Sequence, residues 1–206
     1  MITVDEFQSI LVTKIAAGAL GHRINDDSWT IIGVRGCSIK VRNGEYYFIK
    51  TLNTFNVYDD LLFLLKSDEF KVFKGTVDPG RKYTLAPMNP NGCAHLLNGL
   101  YWFGRALHKD EPAFAQAKPV KIWRDRNRNN ENDDGFEEEG FFEIFIHPGS
   151  GNQNKIDGYS AGCINTMGDK KSAAWKEFRD TLYACDQPDY NGLYPVIITD
   201  FPEDLE

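Results

Sequence analysis

The chain has 206 residues, of which 42% are hydrophobic and 26% charged, enough for one globular domain with a sizeable core. Its formal net charge of −7 argues against broad nucleic-acid binding, which requires a basic face. We expect no transmembrane segment, because no apolar run approaches the roughly 20 residues that span a bilayer.

The N-terminal segment predicts a helix. Its apolar residues over 4–17 recur at helical spacing, and Thr3 with Glu6 fits a capping box. Gly18 and Gly21 mark the expected end of this helix. The apolar stretch is short and follows acidic rather than basic residues, so we expect no signal peptide and synthesis in the cytoplasm.

From Trp29 onward the sequence is typical of strands, because it is rich in β-branched and aromatic residues. Asn43-Gly44 lies between two such runs and predicts a tight hairpin. A second strand pair is predicted around Ser67-Asp68, although Asp59-Asp60 could instead begin a short helix. Further strands are predicted in "KPVKIW", "FFEIFIH" and "YPVIITDF".

One later helix is predicted within "DKKSAAWKEFRDTLYAC", where Trp175, Phe178 and Leu182 share a face. Together these elements predict a β-rich α+β fold with a few helices.

The four cysteines do not predict a zinc site or a disulfide scaffold. None forms a Cys-x-x-Cys pair, which makes structural zinc improbable. If Cys163 stays free as a nucleophile, at least one of the other three must also be unpaired.

The segment "HPGSGNQNKIDGYSAGCIN", residues 147–165, carries the strongest chemical signal. His147 ends an apolar run, and Cys163 follows Ser160-Ala161-Gly162. A reactive cysteine must form a thiolate, which a nearby histidine assists. The alternative is an inert, buried thiol, which is common for free cysteines.

The motif resembles that of a known enzyme family. "SAGCIN" at 160–165 with "IHPG" at 146–149 resembles the signature of the L,D-transpeptidase catalytic domain. "GLYPVIITD" resembles that family's closing strand, and "VFKGTVDPG" loosely resembles its Gly-x-x-x-x-Pro-x-Gly segment. The resemblance implies a mixed-sheet sandwich over residues 46–206, preceded by a helix-and-hairpin extension over residues 1–45.

The resemblance also implies residue roles. Cys163 would be the acyl-enzyme nucleophile and His147 its base, while Ser160 would position the histidine or the turn. Gly162, together with Cys163, would offer backbone N–H groups to the oxyanion, and Asn165 would order the loop or touch the substrate.

Three features near the motif bear on substrate binding. Gly149 would contribute to the substrate site. Pro148 intervenes between His147 and Gly149, and Ala161 stands where the family commonly has histidine. These two departures could alter substrate contacts without removing the chemistry.

The function that the resemblance implies is modification of peptidoglycan stem peptides at the cell envelope, by transfer to an amine or to water. It implies no cofactor, and we expect a monomer. The alternative is a catalytically silent relative that binds cell wall or forms part of a virion.

An acidic segment offers a weak calcium candidate at Asp125, Asn127 and Asn129, whose oxygens alternate as in calcium loops. Asn130 and Phe136 stand where such a loop needs glycine and glutamate, so a solvated acidic loop is the stronger interpretation and we expect no metal.

Two further sets of residues are less informative. Arg35, Asp78 and Arg81 lie at turns beside glycines and are candidates for peptide contacts. His95 has no partner by spacing and is expected to be a surface or hydrogen-bonded histidine.

Overall fold

The computed structural model describes residues 1–67, 69–151 and 154–202, and its strands outnumber its helices. The strands are β1 Ile2–Thr3, β2 Thr30–Arg35, β3 Cys37–Arg42, β4 Glu45–Lys50, β5 Asp60–Lys66, β6 Glu69–Thr76, β7 Cys93–Leu96, β8 Gly99–His108, β9 Glu111–Gln116, β10 Val120–Asp125, β11 Glu137–Gly140, β12 Phe145–Pro148, β13 Ile164–Thr166 and β14 Tyr194–Asp200. The helices are α1 Val4–Ile10, α2 Arg81–Leu85 and α3 Ala173–Tyr183, with a π-helix over Leu11–Ala19 and a 3₁₀ turn over Pro188–Tyr190. The predicted β-rich α+β class is confirmed.

Eight strands close into a barrel in the order β12-β13-β6-β5-β2-β14-β8-β9. Two pairs are parallel, β12 with β13 and β2 with β14, so the barrel is mixed. The motif resemblance predicted a mixed-sheet sandwich, and that finer description stays a prediction. The ring closes because β12 pairs with β9 on one side and with β13 on the other. Two three-stranded sheets, β1-β4-β3 and β11-β10-β7, lie outside this ring.

Strands β2, β5 and β14 are buried on both faces, because successive side chains enter two different cores. The first core takes Ile31, Leu62 and Val196 and is also packed by α3 through Trp175, Phe178 and Leu182. The predicted apolar face of α3 is therefore confirmed. The second core takes Ile32, Phe63 and Ile197 and is covered by α1 and the π-helix.

The N-terminal helix begins as predicted, with the reciprocal Thr3–Glu6 capping box in place. Its winding changes from α to π at Leu11, which the apolar spacing did not indicate. The Asn43-Gly44 turn joins β3 to β4 as predicted.

The segment around Asp59-Asp60 begins strand β5, not a helix. Asp68, in the predicted turn between β5 and β6, lies outside the described residues. The predicted strand "FFEIFIH" is shorter than expected. Gln116 Oε1 accepts the backbone N–H groups of Phe142 and Ile144 at 2.8 and 3.0 Å, so regular pairing begins only at Phe145.

The predicted boundary between residues 45 and 46 stays a prediction. Strand β2 comes before this boundary in the sequence, and the structure places it in the barrel between β5 and β14. Within the described ranges, none of the helices has the length and apolar content needed to cross a membrane.

Packing of the N-terminal helix on the barrel can be tested with Phe7→Ala. Phe7 is fully buried, and its ring centroid lies 4.6 Å from that of Phe48 and 5.5 Å from that of Phe63. We expect urea denaturation to show a loss of about 3–5 kcal/mol in the free energy of unfolding. The control Tyr46→Ala, at a side chain that is 60% exposed, should change it by less than about 0.5 kcal/mol. Equal effects of the two changes would contradict the packing described here.

Candidate active site

The parallel pair β12–β13 brings the histidine and the cysteine together. Ile146 pairs with Ile164, and both enter the first core. The next pair, His147 and Asn165, therefore faces the opposite side. Cys163 directly precedes β13, and by the same alternation it shares the face of His147. Both side chains line one cavity of about 630 Å³.

Ser160 shapes the turn that presents the cysteine. Its Oγ donates to the carbonyl of Cys163 at 2.7 Å and accepts the N–H of Gly162 at 3.2 Å. Gly162 has φ +124°, and a Cβ there would lie 2.6 Å from the carbonyl oxygen of Ala94, so the turn requires glycine. Ser160 thus positions the turn. The bond to Ser160 also occupies the Gly162 N–H, which argues against its expected oxyanion role.

The loop that leads to this turn is fixed by residues far away in the sequence. Gly80 donates its N–H to the carbonyl of Ser160 at 2.9 Å. Asn56 Oδ1 accepts the N–H groups of Asp157 at 2.7 Å and of Arg81 at 2.9 Å. Gly80 ends the segment "VFKGTVDPG", so this segment holds the loop before Cys163 in place through a hydrogen bond. Arg81 contributes there through its backbone. Asn56 was missed, because no local pattern distinguishes it.

His147 is buried and is held as a neutral base. Its Nδ1 lies 2.9 Å from the carbonyl oxygen of Pro148, so the neutral ring donates from Nδ1 and keeps a lone pair on Nε2. Burial is the main reason that the pKa of His147 falls to about 4; the Pro148 bond opposes burial in part, and nearby His108 and Lys109 act in the same direction as burial.

Asn165 orders the histidine. It is fully buried, and its Nδ2 lies 3.2 Å from both ring nitrogens of His147 and donates to the His147 carbonyl at 3.2 Å. Asn165 therefore contacts the histidine, whereas the expected role was to order the loop. Its burial argues against the expected contact with substrate.

His108 is a site residue that the sequence did not indicate. Its ring stacks on that of His147, with centroids 4.5 Å apart and an angle of 11° between the planes. His108 ends β8, whereas His147 lies in β12. Since only barrel closure brings these two strands near each other, no spacing signal could have found the pair.

Cys163 is a protonated thiol in this environment. Burial raises its pKa to about 11, and a backbone hydrogen bond from Phe145 together with Lys109 opposes that rise only in part. The Sγ atom lies 3.9 Å from the carbonyl oxygen of Glu143. Within the described part of the chain, no hydrogen bond joins Sγ to His147.

Gly149 forms part of the cavity wall, and its expected role in substrate binding stays a prediction. Its N–H donates to the carbonyl of Thr166 at 3.0 Å. A Cβ at Gly149 would lie 2.1 Å from the hydroxyl of Tyr58, which itself accepts the N–H of Ser150 at 3.0 Å. Tyr58 therefore fixes the backbone after the histidine, and only glycine fits there.

The oxygens of the acidic loop are engaged in hydrogen bonds within the loop. The Asp125 carboxylate is buried and accepts the N–H groups of Asn129 and Asn130 at 3.1 and 3.0 Å. The amide nitrogens of Asn127 and Asn129 both donate to Asp133. Among the described residues, no group of three or more His, Cys, Asp or Glu side chains is placed to hold a metal ion. The loop is stabilised by its own hydrogen bonds.

Comparison of this chain with protein-family models, with curated proteins and with solved structures gave no match. The resemblance to L,D-transpeptidases therefore stays a prediction that rests on the motif residues.

The titration of His147 tests the site as described. Because its pKa in the fold is about 4 rather than 6.5, the ring should stay neutral as the pH falls from 7 to 5. The stability that this neutral ring contributes is complete above about pH 6.5 and is lost as the pH falls toward 4. An NMR titration, with the signal assigned by its absence in His147→Gln, measures the midpoint. A midpoint near 6.5 would contradict this environment.

Proposed function

We propose that this chain is a cysteine acyltransferase that acts on peptidoglycan stem peptides. The observation that carries the proposal is the placement of His147 and Cys163 on one face of the β12–β13 pair, in one cavity. The neutral imidazole carries its lone pair on Nε2, which is what a general base requires. The motif resemblance supplies the substrate class.

The reaction begins when the Cys163 sulfur attacks the donor carbonyl of a stem peptide. Because the thiol pKa is raised and the imidazole pKa is lowered, the resting pair is uncharged, and the proton moves to Nε2 during the attack. His147 then returns the proton to the leaving amine, and a thioester remains. An acceptor amine or water attacks the thioester, and the proton it loses passes through His147 back to the sulfur.

The cavity suits a charged peptide. Its volume lies in the range of small-molecule sites, and Lys109 and Lys170 line it beside Glu111 and Glu143. Lys170 pairs with Glu111, whereas Lys109 lies near enough to Cys163 and His147 to lower their pKa values. We propose that Lys109 attracts a carboxylate of the stem peptide. The envelope is the proposed site of action, because that substrate lies there.

A second function is favoured by one observation. The thiol contacts the Glu143 carbonyl oxygen rather than His147, and its raised pKa makes it a poor nucleophile at rest. A catalytically silent module that binds cell-wall peptide in the same cavity would have these properties.

Substitution of the two central residues tests the enzyme proposal. Cys163→Ala should reduce turnover of purified muropeptides to background, and His147→Ala should reduce it by about 10²- to 10⁴-fold. Mass spectrometry of the products separates cross-linked dimers from trimmed monomers. Cys185→Ser is the matched control, since Cys185 is not among the cavity residues, and it should keep full activity. Full activity of Cys163→Ala would end the enzyme proposal.

Thiol labelling separates the two functions. In a Cys185→Ser background, iodoacetamide should modify Cys163, which is partly exposed in its cavity, before Cys37 and Cys93, which are buried. If His147 acts as the base, His147→Ala should slow labelling of Cys163 at pH 7 and leave the other two rates unchanged. Labelling of Cys163 that does not respond to His147→Ala favours the silent module.

A further inference from the structure

A second cavity, of about 440 Å³, lies on another part of the molecule. Among the described residues, it shares no lining side chain with the cavity of Cys163. Its wall is formed on one side by the β7–β10 pair, where His95 lies opposite Trp123. Both side chains point away from the first core, which takes Leu96 and Ile122 from the same strands.

The charges in the interior of this cavity are already balanced. The buried guanidinium of Arg35 donates to Asp78 Oδ1 at 3.0 Å, to Asn98 Oδ1 at 2.8 Å and to the Leu96 carbonyl. Burial alone would raise the pKa of Asp78, but Arg35 and His95 outweigh it and hold that pKa below its usual range. Arg35 and Asp78, the weak peptide-contact candidates of the sequence, therefore neutralise each other.

Two buried polar atoms at this cavity have no hydrogen-bond partner within residues 1–67, 69–151 and 154–202: His95 Nε2 and Asn130 Oδ1. His95 is only 2% exposed, and its ring stacks on Trp123 with centroids 3.9 Å apart. Its Nδ1 lies 3.7 Å from Asp78 Oδ1, and that carboxylate favours the proton on Nδ1, so Nε2 is the acceptor of the neutral ring. An unpaired buried acceptor is costly, and two that line one cavity indicate a ligand that supplies donors.

The donors are better supplied by hydroxyl groups than by a cation. The ion pair leaves the interior neutral, and the remaining carboxylate, Asp200, is at the rim with a side chain that is 67% exposed. Asp200 is also engaged by Asn98 Nδ2 at 2.6 Å. Amide side chains of Asn53 and Asn132 complete the polar lining, and the stacked rings of His95 and Trp123 form its aromatic part. Amides and aromatic rings together suit a ligand with both polar groups and a C–H surface.

We propose that this cavity binds a neutral sugar ring, with His95 Nε2 and Asn130 Oδ1 accepting hydroxyl or acetamido N–H groups. This sugar site is separate from the cavity of Cys163, so sugar binding does not depend on whether Cys163 is catalytic.

Calorimetric titration with the trisaccharide of N-acetylglucosamine tests the proposal, with the fluorescence of the tryptophans followed in parallel. We expect saturable binding to the full chain, and the same affinity for Cys163→Ala, because the two cavities are separate. Absence of saturable binding to the unsubstituted chain would overturn the proposal.

Substitutions locate the site. Asn130 has φ +64°, so Asn130→Gly removes the amide and keeps the backbone conformation, and it should weaken binding at least threefold. Asn43→Gly is the matched control, because Asn43 is an exposed asparagine with φ +53° in the β3–β4 turn, and it should not change binding. His95→Phe keeps an aromatic ring beside Trp123 and should also weaken binding, with circular dichroism to verify the fold. A loss below threefold for Asn130→Gly would overturn the assignment.

Asp200, at the rim of the second cavity, tests whether the ligand is a neutral sugar or a cation. Asp200→Asn should leave the affinity for the trisaccharide within threefold, since a neutral sugar does not need that charge. A larger loss, or displacement of the sugar by putrescine at equal concentration, would show that the cavity is built for a cation and would overturn the proposal.

Discussion

The parallel pairing of β12 with β13 is the constraint on which the candidate site depends. It sets His147 beside Asn165 and leaves Cys163 at the entrance to the same face. The pairing needs close backbone contacts on both sides. A Cβ at Gly75, on β6, would lie 2.4 Å from the carbonyl oxygen of Asn165, and Gly162 is equally confined by Ala94. A side chain at either position would clash with the neighbouring backbone and displace β13, and the arrangement of His147, Asn165 and Cys163 would change with it.

Local features of the fold could be predicted because each has a short-range physical cause. The Thr3–Glu6 capping box and the Asn43-Gly44 turn depend on neighbours in the sequence, and the structure contains both. Closure of the barrel could not be predicted in this way. It depends on pairing of Phe145 with Ala115, and nothing within either segment specifies the other as its partner.

In the candidate site too, the features with a local cause could be predicted and those that depend on the whole fold could not. The motif indicated that Ser160 and Asn165 would lie near the cysteine and histidine, and they do. The motif could not indicate the stacking of His108 on His147, because the two belong to different strands. Nor could it give the protonation states, since these are set by burial that arises only when the whole barrel forms.

Buried polar groups also connect the two ends of β2 to its surroundings. Asp60 is fully buried and accepts the N–H groups of Gly36 and Val77, each at 2.9 Å. Burial and the nearby charge of Asp78 raise its pKa to about 8. At the other end, Gln187 accepts the N–H of Trp29 at 2.7 Å and donates to its carbonyl at the same distance. These bonds fix β2 along its length, because a shift would leave several buried groups unpaired.

The pairing of β2 with β14 has a consequence for how the molecule forms. Ile31 and Val196 are partners, although almost the whole described chain lies between them. Such a contact carries a large loop-closure cost, and folds dominated by distant pairings assemble slowly. A chain emerging from the ribosome can complete its local hairpins early, but β2 has no partner on one edge until residues 194–200 arrive. Until then that edge is an unpaired, strongly apolar strand of the kind that favours aggregation, and the finished barrel covers it.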